Sequence, residues 1–199
     1  MIAVTSRALC GEPFLTRIAR LAEARPEMII LREKDLTEGE YLALAAGCKR
    51  VCDPLSVPLV VNHFVWVAGM LGIRRIHLPM PDLREEDVSG FDIVGASVHS
   101  VDEAREAVSL GADYLIAGHV FGTACKPTEP RGLGFLRDVC SAVDVPVYAI
   151  GGVGPDYYQS VLEAGAYGAA VMSSAMTCDD PKALVDSMPP RKGRYPSSR

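Results

Sequence analysis

Short apolar runs rich in β-branched residues alternate with stretches of helical periodicity along almost the whole chain. The runs predict strands at Ile2–Thr5, Met28–Arg32, Leu59–Asn62, Arg75–Leu78, Ile93–Ser97, Tyr114–Gly118, Val147–Ile150 and Ala169–Met172. Between them, apolar positions at three- and four-residue spacing predict helices at about Pro13–Ala24, Glu38–Val51, Phe64–Leu71, Asp102–Leu110, Leu133–Ala142, Pro155–Ala164 and Pro181–Ser187. The link from Asp82 to Gly90 is the least helical, which predicts an incomplete crossover there. Leu71-Gly72-Ile73, Leu110-Gly111-Ala112 and Ala164-Gly165-Ala166 each place a glycine just past a helix, where a left-handed residue ends it. Val57-Pro58 and Val145-Pro146 stand directly before strands, a position that tolerates proline.

Eight strand–helix units suit a closed barrel or a doubly wound open sheet. The count of eight favours a single (β/α)₈ barrel over residues 1–188, compact for that fold in a chain of 199 residues. The remaining segment, Pro189–Arg199, has no periodicity and is expected to be disordered.

Composition narrows the partners. A net charge of −5 argues against nucleic acid and against anionic membrane surfaces, both of which call for a basic excess. No apolar run approaches the roughly 18 residues of a membrane span. The six cysteines form no CxxC pair, and Cys48 and Cys52, one helical turn apart, do not complete a metal site by themselves. With no signal-peptide pattern at Met1, a cytoplasmic setting is expected.

In a barrel of this kind the chemistry belongs at the C-terminal strand ends. All four histidines fall at or near such ends. Gly151-Gly152 after the seventh strand and Ser173-Ser174 after the eighth stand where such barrels bind phosphate, with backbone N–H groups as the cradle. Arg32 and Lys34 share one side of an extended segment and suit a second anionic group. Asn62, Ser97, Thr123 and Lys126 face the same mouth, and His119 has a side chain suited to proton transfer near neutral pH.

Leu31-Arg32-Glu33-Lys34-Asp35-Leu36, Gly95-Ala96-Ser97-Val98-His99-Ser100, Gly111-Ala112-Asp113-Tyr114, Thr123-Ala124-Cys125-Lys126, Ala149-Ile150-Gly151-Gly152-Val153 and Val171-Met172-Ser173-Ser174 resemble the landmarks of the thiamine phosphate synthase superfamily. The synthase members join a pyrimidine pyrophosphate to a thiazole phosphate with magnesium. They carry Asn-Asp after the third strand, where this chain has Asn62-His63. They carry His-Leu-Gly-Gln after the fourth, where this chain has His77-Leu78-Pro79-Met80, and Ile30 replaces a glutamine. Gly118-His119-Val120-Phe121-Gly122-Thr123-Ala124-Cys125-Lys126 resembles instead the thiazole tautomerase (TenI-type) branch. That resemblance implies an isomerase aromatising a thiazole phosphate carboxylate, with His119 as general acid/base and with neither metal nor cofactor. Its expected ligand is a small phosphorylated heterocycle, and the exposed barrel helices leave room for a homodimer. Two alternatives stay open: a magnesium-dependent thiamine phosphate synthase, and a non-catalytic regulatory protein that keeps the phosphate pocket.

Overall fold

A computed structural model describes residues 1–123 and 129–191. Eight strands pair in parallel in chain order, and the first closes on the last. They are β1 (Ile2–Val4), β2 (Met28–Leu31), β3 (Leu59–Asn62), β4 (Arg75–Pro79), β5 (Ile93–Val98), β6 (Tyr114–Gly118), β7 (Val147–Ile150) and β8 (Gly168–Val171). Around them run α1 (Phe14–Ala24), α2 (Glu38–Cys52), α3 (Val65–Leu71), α4 (Met80–Glu85), α5 (Val101–Ser109), α6 (Gly132–Ala142), α7 (Pro155–Glu163), α8 (Ser173–Thr177) and α9 (Pro181–Ser187). The (β/α)₈ barrel expected from the alternating pattern is the fold, and each expected strand is present to within a residue at either end.

Two helices escape the sequence pattern. Helix α4 has six residues and α8 five, too short for a 3.6-residue period to register. Helix α4 starts as β4 ends, with Pro81 in its first turn, where an absent N–H costs nothing. It is the short crossover that the Asp82–Gly90 link foreshadows. The three helix-ending glycines, Gly72, Gly111 and Gly165, all have positive φ.

Strand alternation sorts the apolar residues into two cores. Met28 and Ile30 on β2 point into the barrel, where they meet Ile2, Val4, Val60, Ile93, Tyr114, Ile116, Tyr148 and Ala170. Ile29 and Leu31 point outward and pack under the helices. The same alternation, carried past the end of β2, turns Arg32 and Lys34 inward and Glu33 outward. Glu33 is buried, accepting hydrogen bonds from Thr5 Oγ1 (2.7 Å) and the Arg7 N–H (2.9 Å), so it pins the β1 loop to the β2 loop. On the opposite side of the β1 loop, buried Arg17 of α1 pairs with Glu12 (2.7 Å) and donates to the Cys178 carbonyl (2.7 Å), holding the chain just past α8.

Register decides which inward side chains meet. Asn62, His77, Gly95 and Tyr114 are successive partners across β3, β4, β5 and β6 and form one layer of the barrel. Of the segment expected to be disordered, Pro189–Arg191 are described, with the Arg191 N–H donating to the Tyr167 carbonyl (2.9 Å), and residues 192–199 lie outside the described residues. Among the described residues no helix is long and apolar enough to cross a membrane.

Candidate active site

At the C-terminal strand ends the inward positions change from apolar to polar or glycine, and a cavity of about 980 Å³ opens there. Its apolar floor is Val4, Ile30, Ile116, Ile150 and Ala170. Arg32, Lys34, Asn62, Ser97, His119, Thr123, Gly151, Gly152, Ser173 and Ser174 all line it, so ten of the sequence-derived candidates converge on one space. Lys126 lies outside the described residues.

The β2–β5 side of the mouth is built from side chains. Thr5 Oγ1 accepts from the Arg32 N–H (3.0 Å) and so fixes the backbone from which the guanidinium reaches the cavity. Asn62 is buried: its N–H donates to the Tyr41 hydroxyl (3.0 Å), and its Nδ2 donates to the His77 carbonyl (2.7 Å). His63, in a left-handed conformation (φ +71°), stands at the rim and pairs through Nδ1 with the Asp82 carboxylate at the start of α4. His99, also on the rim, lies 3.6 Å from the Glu103 carboxylate.

The β6–β8 side is built from main chain. After β6 the backbone lies on the β7 turn: the Val120 N–H donates to the Ile150 carbonyl (2.8 Å) and the Phe121 N–H to the Gly151 carbonyl (2.9 Å). That approach needs glycine. A Cβ on Gly151, whose φ is +93°, would sit 2.2 Å from His119 Cβ, and one on Gly152 would sit 2.5 Å from the Gly122 carbonyl oxygen. His119 is buried in this contact (6% exposed). Phe121 stacks on Tyr157 of α7 at 4.7 Å and continues the rim.

His77 is the most deeply placed of the four histidines that line the cavity. Burial, and secondarily the charge of Arg32, push its pKa down to about 3, so the ring is neutral at working pH. Its Nε2 is 2.8 Å from Ser97 Oγ, and its Nδ1 is 3.1 Å from the Tyr114 hydroxyl. Sequence reasoning singled out neither Tyr114 nor Asp82 as a site residue. Tyr114 opens β6 at the head of an apolar run, far from the C-terminal strand ends where site residues are expected, and only the pairing register reveals that it reaches His77. Asp82 lies on a helix too short to be anticipated.

Among the described residues no group of three or more His, Cys, Asp or Glu side chains could hold a metal unaided. Burial raises the thiols of Cys48 and Cys52 to about 12 and about 11, so this pair is inert packing beneath α2.

Residues 1–175 match the family model described as thiamine monophosphate synthase. A thiamine-phosphate synthase of Desulfitobacterium hafniense is 35% identical over 92% of this chain and 94% of its own length. Another, of Natronomonas pharaonis, is 38% identical over 78% and 77%. The structure of thiamine phosphate pyrophosphorylase from Pyrococcus furiosus superposes with a TM-score of 0.81 at 30% identity, covering 94% of this chain and 91% of that one. These relatives overturn the expected thiazole tautomerase: they are named as synthases, which are transferases, and not as isomerases of the TenI type. The expectation rested on the motif at residues 118–126 and on the departures from the synthase pattern at His63, Pro79, Met80 and Ile30, and gave these more weight than the rest of the chain. The described part of that motif, residues 118–123, packs on the β7 turn through the Val120 and Phe121 N–H groups, and packing does not distinguish the two reactions.

Proposed function

The chain belongs to the thiamine monophosphate synthase family, and on that premise we propose that it joins a pyrimidine diphosphate to a thiazole phosphate. The thiazole nitrogen lone pair forms a bond to the pyrimidine methylene carbon, the carbon–oxygen bond to the diphosphate breaks, and diphosphate leaves. No proton is exchanged with the rings. His119, read first as a proton carrier, is therefore assigned here to the cavity wall.

The observation that carries this reading is the presence of two unlike anion grips in one cavity. Arg32 and Lys34 face it from one side, and the Gly151-Gly152 turn with Ser173-Ser174 faces it from the other. A coupling of two phosphorylated rings needs two such places, one for the phosphate groups of each substrate. The side-chain grip suits the diphosphate, which carries more charge and leaves as an anion, since guanidinium and ammonium groups stabilise charge as it develops. The backbone grip suits the thiazole monophosphate. The apolar floor takes the stacked rings.

Magnesium fits this site as an ion shared with the substrate. It takes one or two carboxylates, completing its shell with water and phosphate oxygens. Asp82, paired with His63 at the cavity edge, would supply such a carboxylate on exchanging that partner for the metal, and His63 is a softer donor that would not compete for a hard cation. When bound, the metal would neutralise the departing diphosphate. The test is to incubate the protein with the pyrimidine diphosphate, the thiazole phosphate and magnesium and to measure thiamine phosphate by chromatography. Release of one diphosphate per thiamine phosphate is expected, with loss of turnover on chelation. Absence of product across divalent cations would overturn the reading.

A further inference from the structure

The layer Asn62–His77–Gly95–Tyr114 contains a feature that the coupling reaction leaves unexplained. Tyr114 and His77 lie on strands separated by β5, yet their side chains meet. They can do so because the position between them is glycine: a Cβ on Gly95 would fall 2.1 Å from Tyr114 Cζ and 2.4 Å from its hydroxyl oxygen. The phenol therefore passes across β5 and reaches His77 Nδ1 at 3.1 Å, with ring centroids 5.5 Å apart. From beneath, Tyr148 meets the Tyr114 ring edge-to-face at 6.0 Å and is itself tied through its hydroxyl to Glu27 (2.7 Å). Both members of the pair are buried, His77 at 3% exposure and Tyr114 at 0%.

A neutral imidazole donates from one nitrogen and accepts at the other. A phenol is the stronger donor of the pair and an imidazole nitrogen the stronger acceptor, so the Tyr114 hydroxyl donates to Nδ1 and the ring proton resides on Nε2. That order directs the Nε2 proton at Ser97 Oγ, which lies 2.8 Å away. With one lone pair of Oγ engaged from behind, the hydroxyl hydrogen of Ser97 is directed away from His77, and Ser97 lines the cavity.

We propose that Tyr114 and His77 act as positioning residues, a buried relay that sets Ser97 as a hydrogen-bond donor to an anionic oxygen of the diphosphate. Ser97 shares the cavity with Arg32, whose charge is felt at His77, and both belong to the side-chain grip. The assignment of the anion rests on the synthase reading; the proton order along the relay does not. Neutral throughout, the relay delivers a fixed donor without burying a further charge, and its directionality is lost when either donor is removed.

The experiment combines a spectroscopic and a binding measurement on the intact protein. Nitrogen-15 spectra of histidine-labelled wild type are expected to show His77 protonated on Nε2, with Nδ1 an acceptor. Calorimetry with inorganic diphosphate and magnesium is expected to show binding weakened about tenfold in Ser97→Ala and by a similar factor in Tyr114→Phe. The double variant should be no weaker than Ser97→Ala alone, because Tyr114 acts only through Ser97. An Nδ1-protonated His77, or losses that multiply in the double variant, would overturn the relay. Should Tyr114→Phe fail to fold, the wild-type spectrum decides by itself. Coupled losses in diphosphate binding without any thiamine phosphate formation would sink the synthase reading and leave the relay standing.

Discussion

From β2 to β5 the mouth of the barrel presents side chains, Arg32, Lys34, Asn62, His77 and Ser97, whereas from β6 to β8 it presents main chain through Gly118, Gly151, Gly152 and the start of α8. On the synthase reading, the first half grips by charge and by a fixed hydroxyl donor. On the same reading the second grips by letting the backbone come close, which requires that side chains be absent at Gly151 and Gly152. The two halves should therefore fail in opposite ways: the main-chain half by gaining an atom, with damage to the fold, and the side-chain half by losing a group, with damage to the chemistry alone.

The largest effect is expected from Gly151→Ala. The added methyl would meet His119 Cβ at 2.2 Å and its Cα at 2.7 Å, and the φ of +93° is strained for any residue with a Cβ. Both neighbours are backbone-anchored and cannot swing away, so the cost is about 2–4 kcal/mol of stability. Urea unfolding should show the midpoint falling steeply, with turnover lost. An unchanged midpoint would mean that the β6 and β7 loops separate at little cost, and the contrast between the halves would fail.

Arg32→Ala should come next and behave in the opposite manner. The guanidinium faces the cavity, so unfolding should barely change, while loss of a charge-assisted contact to the diphosphate lowers kcat/KM about 10–100-fold. Arg32→Lys should recover only part of this, since an ammonium lacks the planar fork. Equal activity of Arg32→Ala and wild type would move the diphosphate to the other half of the mouth.

The main-chain half was the easier to recognise in the sequence. Gly151-Gly152 and Ser173-Ser174 are contiguous motifs at strand ends, and the eight short apolar runs that predict the barrel are local signals four or five residues long. The side-chain half was legible where alternation continues through the strand end, as at Arg32 and Lys34. It was illegible where the partner comes from elsewhere: Tyr114 reaches His77 across Gly95, a fact of register, and His63 meets Asp82 through a helix of six residues. The reaction was misjudged because the loop around His119 resembles one branch and His63 stands where the synthases carry an aspartate, while the relatives that match over nearly the whole chain are named as synthases.

A smaller, pH-dependent effect isolates His77. Unfolded, its imidazole titrates near 6.5; folded, it is held down at about 3. Between those values the unfolded chain binds a proton that the folded chain refuses, so stability is whole above about pH 6.5 and falls as the pH drops toward 3. The slope is at most about 1.4 kcal/mol per pH unit. Between pH 6.5 and 5, the melting temperature of wild type should fall more steeply than that of His77→Gln. Parallel curves would mean that the ring accepts a proton in place, which its burial and the nearby charge of Arg32 argue against.

The smallest effect is expected from His119→Asn, and it bears on what the main-chain half is for. A positioned general acid/base typically contributes about 10²–10⁴-fold, so a proton-carrying His119 would cost at least that much on replacement. In the coupling reaction no ring proton moves, and His119 Cβ and Cα do the packing against Gly151, atoms that asparagine retains. The rate of thiamine phosphate formation should then fall by less than about tenfold, with the unfolding midpoint little changed. A loss of 10²-fold or more in a folded variant would place a proton transfer in the rate-limiting step and return His119 from wall to catalyst. It would also erase the division of labour, because the main-chain half would then act through a side chain.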